Sequence, residues 1–394
     1  MGRHYLDHAS TSPLRPEARD AMVEWLDASG VGSVADPGRI HVEGMTARVT
    51  LEQAREQVAG LFGARSREVV FTSGATESIA TAVWGALGSE VTTEHRCHVV
   101  VPAVEHSAVR EASAAYTARS GGEVTVIGVD RLGRVDPDEV MGAVRPDTAL
   151  VHVQWGNHEV GTTQPAVEVA ARCRESGVLV HIDAAQAAGR VPIDFAQIDA
   201  DLLSVSGHKF GAPVGAGVLL VRRGLRIDPL LRGGDQERAR RAGMENLPAL
   251  VGLGASCEAL AGEDRLAGEQ RNSLRLTDRV LAAVPTLDGV RIYGDPTGRL
   301  PHLVCLGVDG IEPQAVLLGL DQAGIAAHSG SACASEGLED SPVLEAMGVD
   351  AHRSLRISVG WSSTDVDIDA LLAALPQVIA RLRALGPVRG APGA

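Results

Sequence analysis

Two stretches decide the fold: Leu179-Val180-His181-Ile182 running into Asp183-Ala184-Ala185-Gln186, and Leu202-Leu203-Ser204-Val205 running into Ser206-Gly207-His208-Lys209. Each is an apolar run of strand length that stops at a cluster of chemically capable side chains. The pattern repeats outward. Runs at 98–104, 124–129, 150–155 and 217–221 read as strands. Between them, 107–120, 136–144 and 165–176 have helical spacing, with Pro165 suited to a first turn. Strand, helix, strand in succession predicts an α/β domain with a mostly parallel sheet and helices on both faces.

Beyond about residue 250 the texture changes. Helical stretches at 268–284, 313–322 and 366–385 alternate with apparent strands at 303–307, 325–328 and 355–359, which predicts a smaller α+β unit. The expected division is an N-terminal arm (1–14) joining the small domain, a large domain (15–257), a small domain (258–385) and a disordered tail (386–394).

A chain of 394 residues has ample length for these cores. No apolar run approaches the ~18 residues that span a bilayer, and the first residues lack the apolar core of a secretory signal, so a cytoplasmic location is expected. The net charge of −14, from 36 Lys+Arg against 50 Asp+Glu, argues against nucleic acid and acidic membranes as partners. Five cysteines without a C-x-x-C pair argue against a disulfide framework and a zinc cluster, so no metal is expected. There is no G-x-x-x-x-G-K-[ST], no H-E-x-x-H and no G-x-S-x-G, which removes the usual signatures of nucleotide hydrolysis, zinc proteolysis and α/β-hydrolase chemistry.

Of the 36 basic residues one is lysine, Lys209, and 35 are arginine. Arginine replaces lysine as a surface charge but cannot condense with an aldehyde, which marks Lys209 as a candidate covalent catalyst. Ligands of open parallel sheets bind beyond the carboxyl ends of the strands. Glu105-His106-Ser107, Gly156-Asn157-His158-Glu159, Asp183 to Gln186 and Ser206 to Lys209 all fall there. A pyridoxal phosphate enzyme needs such a set: an amine, a carboxylate for the ring nitrogen and a flat partner over the ring, here Lys209, Asp183 and His106. Alone, Asp183 reads as a helix cap and His106 as a turn residue; beside the only lysine, the cofactor reading is the stronger.

Thr72-Ser73-Gly74-Ala75-Thr76 supplies a strand end, a glycine turn and a helix start able to cradle a phosphate, with Ser206 and His208 as added donors. Cys333 sits among small polar residues at 329–337, read as a mobile loop with an exposed, reactive thiol, whereas Cys173 and Cys305 read as buried. Arg356 lies on an alternating strand, where it would grip a carboxylate or simply face solvent.

With these residues placed, the chain resembles the cysteine desulfurases, pyridoxal phosphate enzymes of the class V aminotransferase group. The resemblance spans 5–9, 71–78, 104–107, 157–165, 181–186, 206–209, 236–238 and 329–335. It implies the fold type I architecture of PLP-dependent transferases: a mostly parallel seven-stranded sheet in the large domain and a smaller α+β C-terminal domain. It further implies that Lys209 holds the cofactor, Asp183 pairs with the ring nitrogen, Gln186 meets the ring hydroxyl and His106 stacks on the ring and helps with proton transfer. Thr76, Ser206 and His208 would bind the phosphate, Ala75 would join them in holding the cofactor, and Asn157 and Arg356 would hold the substrate carboxylate. Cys333 would take sulfur from L-cysteine as a persulfide and hand it to an acceptor protein, in a homodimer. The sequence departs from the family pattern at Asp36-Pro37-Gly38, at Ile79-Ala80, at His158 and at Met244. Two alternatives are a cysteine or selenocysteine lyase on the same scaffold, giving pyruvate or preferring selenium, and a non-catalytic partner-binding relative that stays colourless with added cofactor.

Overall fold

The computed structural model describes residues 2–27, 35–88, 97–330 and 340–385. Its strands are β1 (His4–Tyr5), β2 (Val69–Thr72), β3 (His98–Pro102), β4 (Glu123–Ile127), β5 (Thr148–Gln154), β6 (Leu179–Asp183), β7 (Leu202–Ser206), β8 (Gly217–Val221), β9 (Val290–Tyr293), β10 (Leu303–Val308), β11 (Ile325–Ala326) and β12 (Ser354–Ser358). Seven form one sheet in the order β2-β8-β7-β6-β5-β3-β4, in which only β8 runs against the rest. The carboxyl ends of β2, β3, β5, β6 and β7 therefore share one edge, and β8 begins there.

Every residue of β2, β3, β5, β7 and β8 is buried, which is why these runs are mostly apolar rather than alternating. Val70, Val99, Leu150 and Leu202 pack on one face against Ile79 and Val83 of helix Ala75–Gly88. Phe71, Val100, Val151 and Leu203 pack on the other against Val58 of helix Val42–Leu61, Val169 of helix Ala166–Ser176 and Leu253 of helix Leu247–Ala261. The sheet also buries a polar ladder: His152 and His181 meet through their Nδ1 atoms at 2.9 Å, and His181 Nε2 lies 2.7 Å from Ser204 Oγ. Burial holds both imidazoles far below their usual pKa, His152 at about 3.

β9, β10 and β12 form a separate antiparallel sheet with its own core of Leu276, Val304, Leu320, Ile357 and Leu371. Leu6 belongs to that core, and β1 pairs in parallel with β11, so the first residues of the chain pack with its last third. The seven-stranded, mostly parallel sheet and the smaller second sheet are the architecture expected above.

Helices Pro16–Asp27 and Val42–Leu61 and strand β9 were not anticipated. In Val42–Leu61 the apolar residues fall on two faces, with Leu51 and Val58 buried but Val42, Met45 and Val49 exposed, so no single stripe announces the helix. The expected tail at 386–394 lies outside the described residues.

Glu237, Arg238 and Ala239 have φ of 49°, 58° and 62°, unfavourable values for residues other than glycine. The strain is held by a buried pair: Arg55 Nη1 and Nη2 donate to the Glu237 carboxylate at 2.7 Å each, and Phe71 N donates to it at 2.9 Å. Glu237→Ala leaves the Arg55 charge buried and should cost about 3–5 kcal/mol. The check is the urea midpoint of the variant, and a midpoint equal to the parent's would show that the pair does not hold this segment.

Candidate active site

The shared strand edge opens into a cavity of about 430 Å³. It gathers Ala75, Thr76, His106, Asp183, Gln186, Ser206, His208, Lys209 and Arg356, which chemistry and resemblance had singled out from distant parts of the chain. Lys209 stands on a short 3-10 turn, Gly207–Phe210, directly after β7. Its Nζ donates to Ala9 O at 2.6 Å and Ser10 O at 2.9 Å, so main-chain oxygens of the N-terminal arm hold the amine. Burial, and next the Arg356 guanidinium, push its pKa down to about 8, against the pull of Asp7 and Asp183.

Asp183 ends β6. Its carboxylate accepts from Ala185 N at 2.9 Å, burial raises its pKa, and no cation pairs with it among the described residues. Glu105, buried near it, is pushed well above the usual carboxyl range by burial and then by the Asp183 charge. His106 caps helix Ser107–Ser120, its Nδ1 accepting from Ala108 N at 3.1 Å. Burial, followed by the neighbouring His158, lowers its pKa to about 3, so the ring is neutral at pH 7. The turn position expected of His106 is thus a helix N-cap, and its ring also lines the cavity. His158 stands edge-on to it, with ring centres 4.9 Å apart.

Helix Ala75–Gly88 starts at the cavity, presenting free N–H groups beside Ser206 and His208. The turn before it is pressed against β8: a Cβ on Gly217 would lie 2.4 Å from Gly74 Cα. Gly217→Ala must therefore displace the Gly74 backbone, at about 1–3 kcal/mol. We expect weaker retention of a phosphate-bearing ligand, measured as a raised dissociation constant, and an unchanged constant would refute the cradle. His208 Nδ1 lies 3.1 Å from Thr11 Oγ1, with its pKa held at about 4 mainly by burial. Gln186 Nε2 donates to Ala9 O at 2.9 Å.

Arg356 is buried and aimed by three contacts: Nη1 to His158 O at 2.8 Å, and Nη2 to Asp7 Oδ1 at 3.0 Å and Ser10 Oγ at 2.7 Å. Asn157 is not brought to the cavity. It is fully buried, Nδ2 donating to Val104 O and Oδ1 accepting from Glu159 N and Val160 N. Cys333 lies outside the described residues. Of the departures from the family pattern, Ile79 and His158 line the cavity, while Met244 is exposed. Sequence reasoning missed the role of Ala9 and Ser10, because a carbonyl clamp leaves no side-chain signature, and it missed His328, which lines the cavity beside Arg356.

A buried carboxylate without a cation, facing a desolvated amine and a helix N-terminus, fits a cofactor that brings a cationic ring nitrogen, an aldehyde and a phosphate. The fold is that of the fold type I pyridoxal phosphate enzymes. The sequence pattern of the class-V aminotransferases matches residues 4–371. The cysteine desulfurase IscS of Methanosarcina thermophila is 39% identical over 387 residues, 98% of this chain and 94% of that one. A solved NifS-like protein superposes with a TM-score of 0.87 at 30% identity, over 96% of this chain and 100% of that one. SspA, solved in complex with cysteine, gives a TM-score of 0.78 at 28% identity, over 90% and 98% of the two chains. The chain belongs to the class-V aminotransferase family, and within it to the cysteine desulfurases.

Proposed function

We propose that this enzyme takes sulfur from L-cysteine with pyridoxal phosphate held on Lys209 and leaves it as a persulfide on Cys333. The observation that carries the reading is that the only lysine of the chain ends, desolvated, in the same cavity as a buried carboxylate that pairs with no cation among the described residues. When bound, the cofactor supplies an electron sink for negative charge developing at the substrate Cα. Asp183 is the carboxylate available to its ring nitrogen, Gln186 to its ring hydroxyl and His106 to its ring face. Ala75 and Thr76 at the helix start, with Ser206 and His208, are the donors for its phosphate.

Arg356, preset by Asp7 and Ser10, would take the substrate carboxylate. Asn157 would shape the site only through the backbone it braces. With a pKa of about 8, Lys209 has an unprotonated fraction near neutral pH and is fitted to take a proton from the substrate Cα and return it to Cβ or Cα. The net reaction is balanced: L-cysteine and the Cys333 thiol give L-alanine and a Cys333 persulfide, one C–S bond breaking and one S–S bond forming. No external oxidant is consumed.

We infer that the division into arm, large domain and small domain given above holds, supported by separate cores in the two sheets. We also infer a homodimer that passes sulfur to an acceptor protein in the cytoplasm. Val42, Met45 and Val49 support the dimer as an exposed apolar face on one helix, and the free thiols of Cys97, Cys173, Cys257 and Cys305 suit a reducing compartment. The test is to incubate the protein with L-cysteine and quantify alanine, then to reduce cofactor-loaded protein with borohydride and map the modified peptide. Alanine, and modification at residue 209, are expected. Pyruvate in place of alanine, or an unmodified Lys209, would overturn the reading.

A further inference from the structure

The turn that Asp183 begins ends at Arg190, behind Lys209. Gly189, at φ +68°, lets this turn pack on the Lys209 segment, since a Cβ there would lie 2.5 Å from Phe210 Cγ. Arg190 is 5% exposed, and its Nη2 donates to Lys209 O at 2.6 Å and to Ser12 Oγ at 2.8 Å. Ser12 Oγ donates to the same Lys209 oxygen at 2.9 Å. Arg190 Nε is buried without a partner. Among the described residues no carboxylate pairs with this guanidinium. Glu269, the acid whose field reaches it, is held bidentately by Arg15 at 2.8 and 2.6 Å. A buried cation without a counterion is costly to fold around and asks for a reason beyond packing.

We propose that Arg190 is a positioning residue for Lys209: it holds the lysine's main-chain oxygen from behind and sets a fixed positive charge behind that segment. The proposal rests on Lys209 being the working amine and adds the means by which that amine is placed, with one of the charges that oppose its protonation. The charged groups acting on Lys209 are Arg356 and Arg190, which oppose its protonation, and Asp7 and Asp183, which favour it. The histidines around it, His106, His208, His302 and His328, all have their pKa lowered, first by burial. Arg190 itself stays cationic at neutral pH, although burial and then Arg15 lower its pKa to about 9. Burial is the largest cause of the lowered Lys209 pKa and Arg356 the next, and Arg190 adds to them with a smaller effect than Asp7 and Asp183 exert against it.

Because the chain has one lysine, the amine can be read directly. Acetic anhydride acetylates neutral amines, so in full-length, cofactor-free protein the rate at Lys209, followed by peptide mass spectrometry, rises with pH and is half-maximal at the Lys209 pKa. That midpoint is expected near 8 in the parent. Arg190→Gln keeps donors for Lys209 O and Ser12 Oγ but removes the charge, and should raise the midpoint by more than about 0.2 unit. Arg190→Met removes donors as well, and should add about a tenfold loss of cofactor retention, read from the absorbance of the holoenzyme after dialysis. A midpoint within about 0.2 unit of the parent's in Arg190→Gln would overturn the proposal, that shift being smaller than a neighbouring charge produces. If Arg190→Met fails to fold, the glutamine variant decides. This readout involves no cofactor, so its failure is distinct from a failure of the borohydride test on the parent protein.

Discussion

Lys209→Ala is expected to lower alanine formation from L-cysteine by at least about 10³-fold, as loss of a covalent catalytic group does. No second lysine exists to substitute for it. The loss has two physical sources: the amine that holds the cofactor, and the base at the substrate Cα. Lys209→Arg separates chemistry from charge, because its guanidinium can still donate to Ala9 O and Ser10 O but cannot condense with an aldehyde. Both variants should be equally inactive. An arginine variant that retains more than a tenth of the activity would show that charge, and not covalent attachment, is what the site needs, and would defeat the assignment.

Cys333→Ala is expected to remove the protein persulfide and to lower alanine formation by at least about 10²-fold, while the visible absorbance of the bound cofactor persists, because only a thiolate attacks sulfur. The other cysteines offer no replacement. Cys173 is buried with its pKa pushed up to about 12, and burial pushes Cys257 and Cys305 higher still, so all three stay protonated and inert. Cys97 precedes β3 at its amino end, whereas the cavity lies beyond the carboxyl end of that five-residue strand, about 15 Å away at ~3.3 Å per residue. A persulfide detected by mass spectrometry on Cys333→Ala protein treated with cysteine, at the parent's yield, would reject the role of this thiol.

The large sheet was legible because a strand buried on both faces writes itself as an unbroken apolar run. β3, β5, β6, β7 and β8 stand within two residues of where those runs fall at either end. β9 was not legible: it is short, carries Arg291 and is half exposed, so it lacks both an apolar run and clean alternation. The gathering of Asp183, Lys209 and His106 at one edge could be read because each lies at or just past the end of an apolar run. Asn157 could be read as polar at a strand end, but not as an amide spent on Val104 O and two N–H groups, a choice made by loop geometry.

From the amino-acid order alone came the parallel sheet, the edge where the candidate residues gather and the single lysine among them, because strand period and functional-group identity are local properties. Only the tertiary structure decided that carbonyls from residues 9 and 10 grip the Lys209 amine, that Arg190 holds the main-chain oxygen of Lys209 and that the amine's pKa falls to about 8. Desolvation and electric field are sums over atoms contributed by segments as much as 200 residues apart, and no window of sequence contains such a sum.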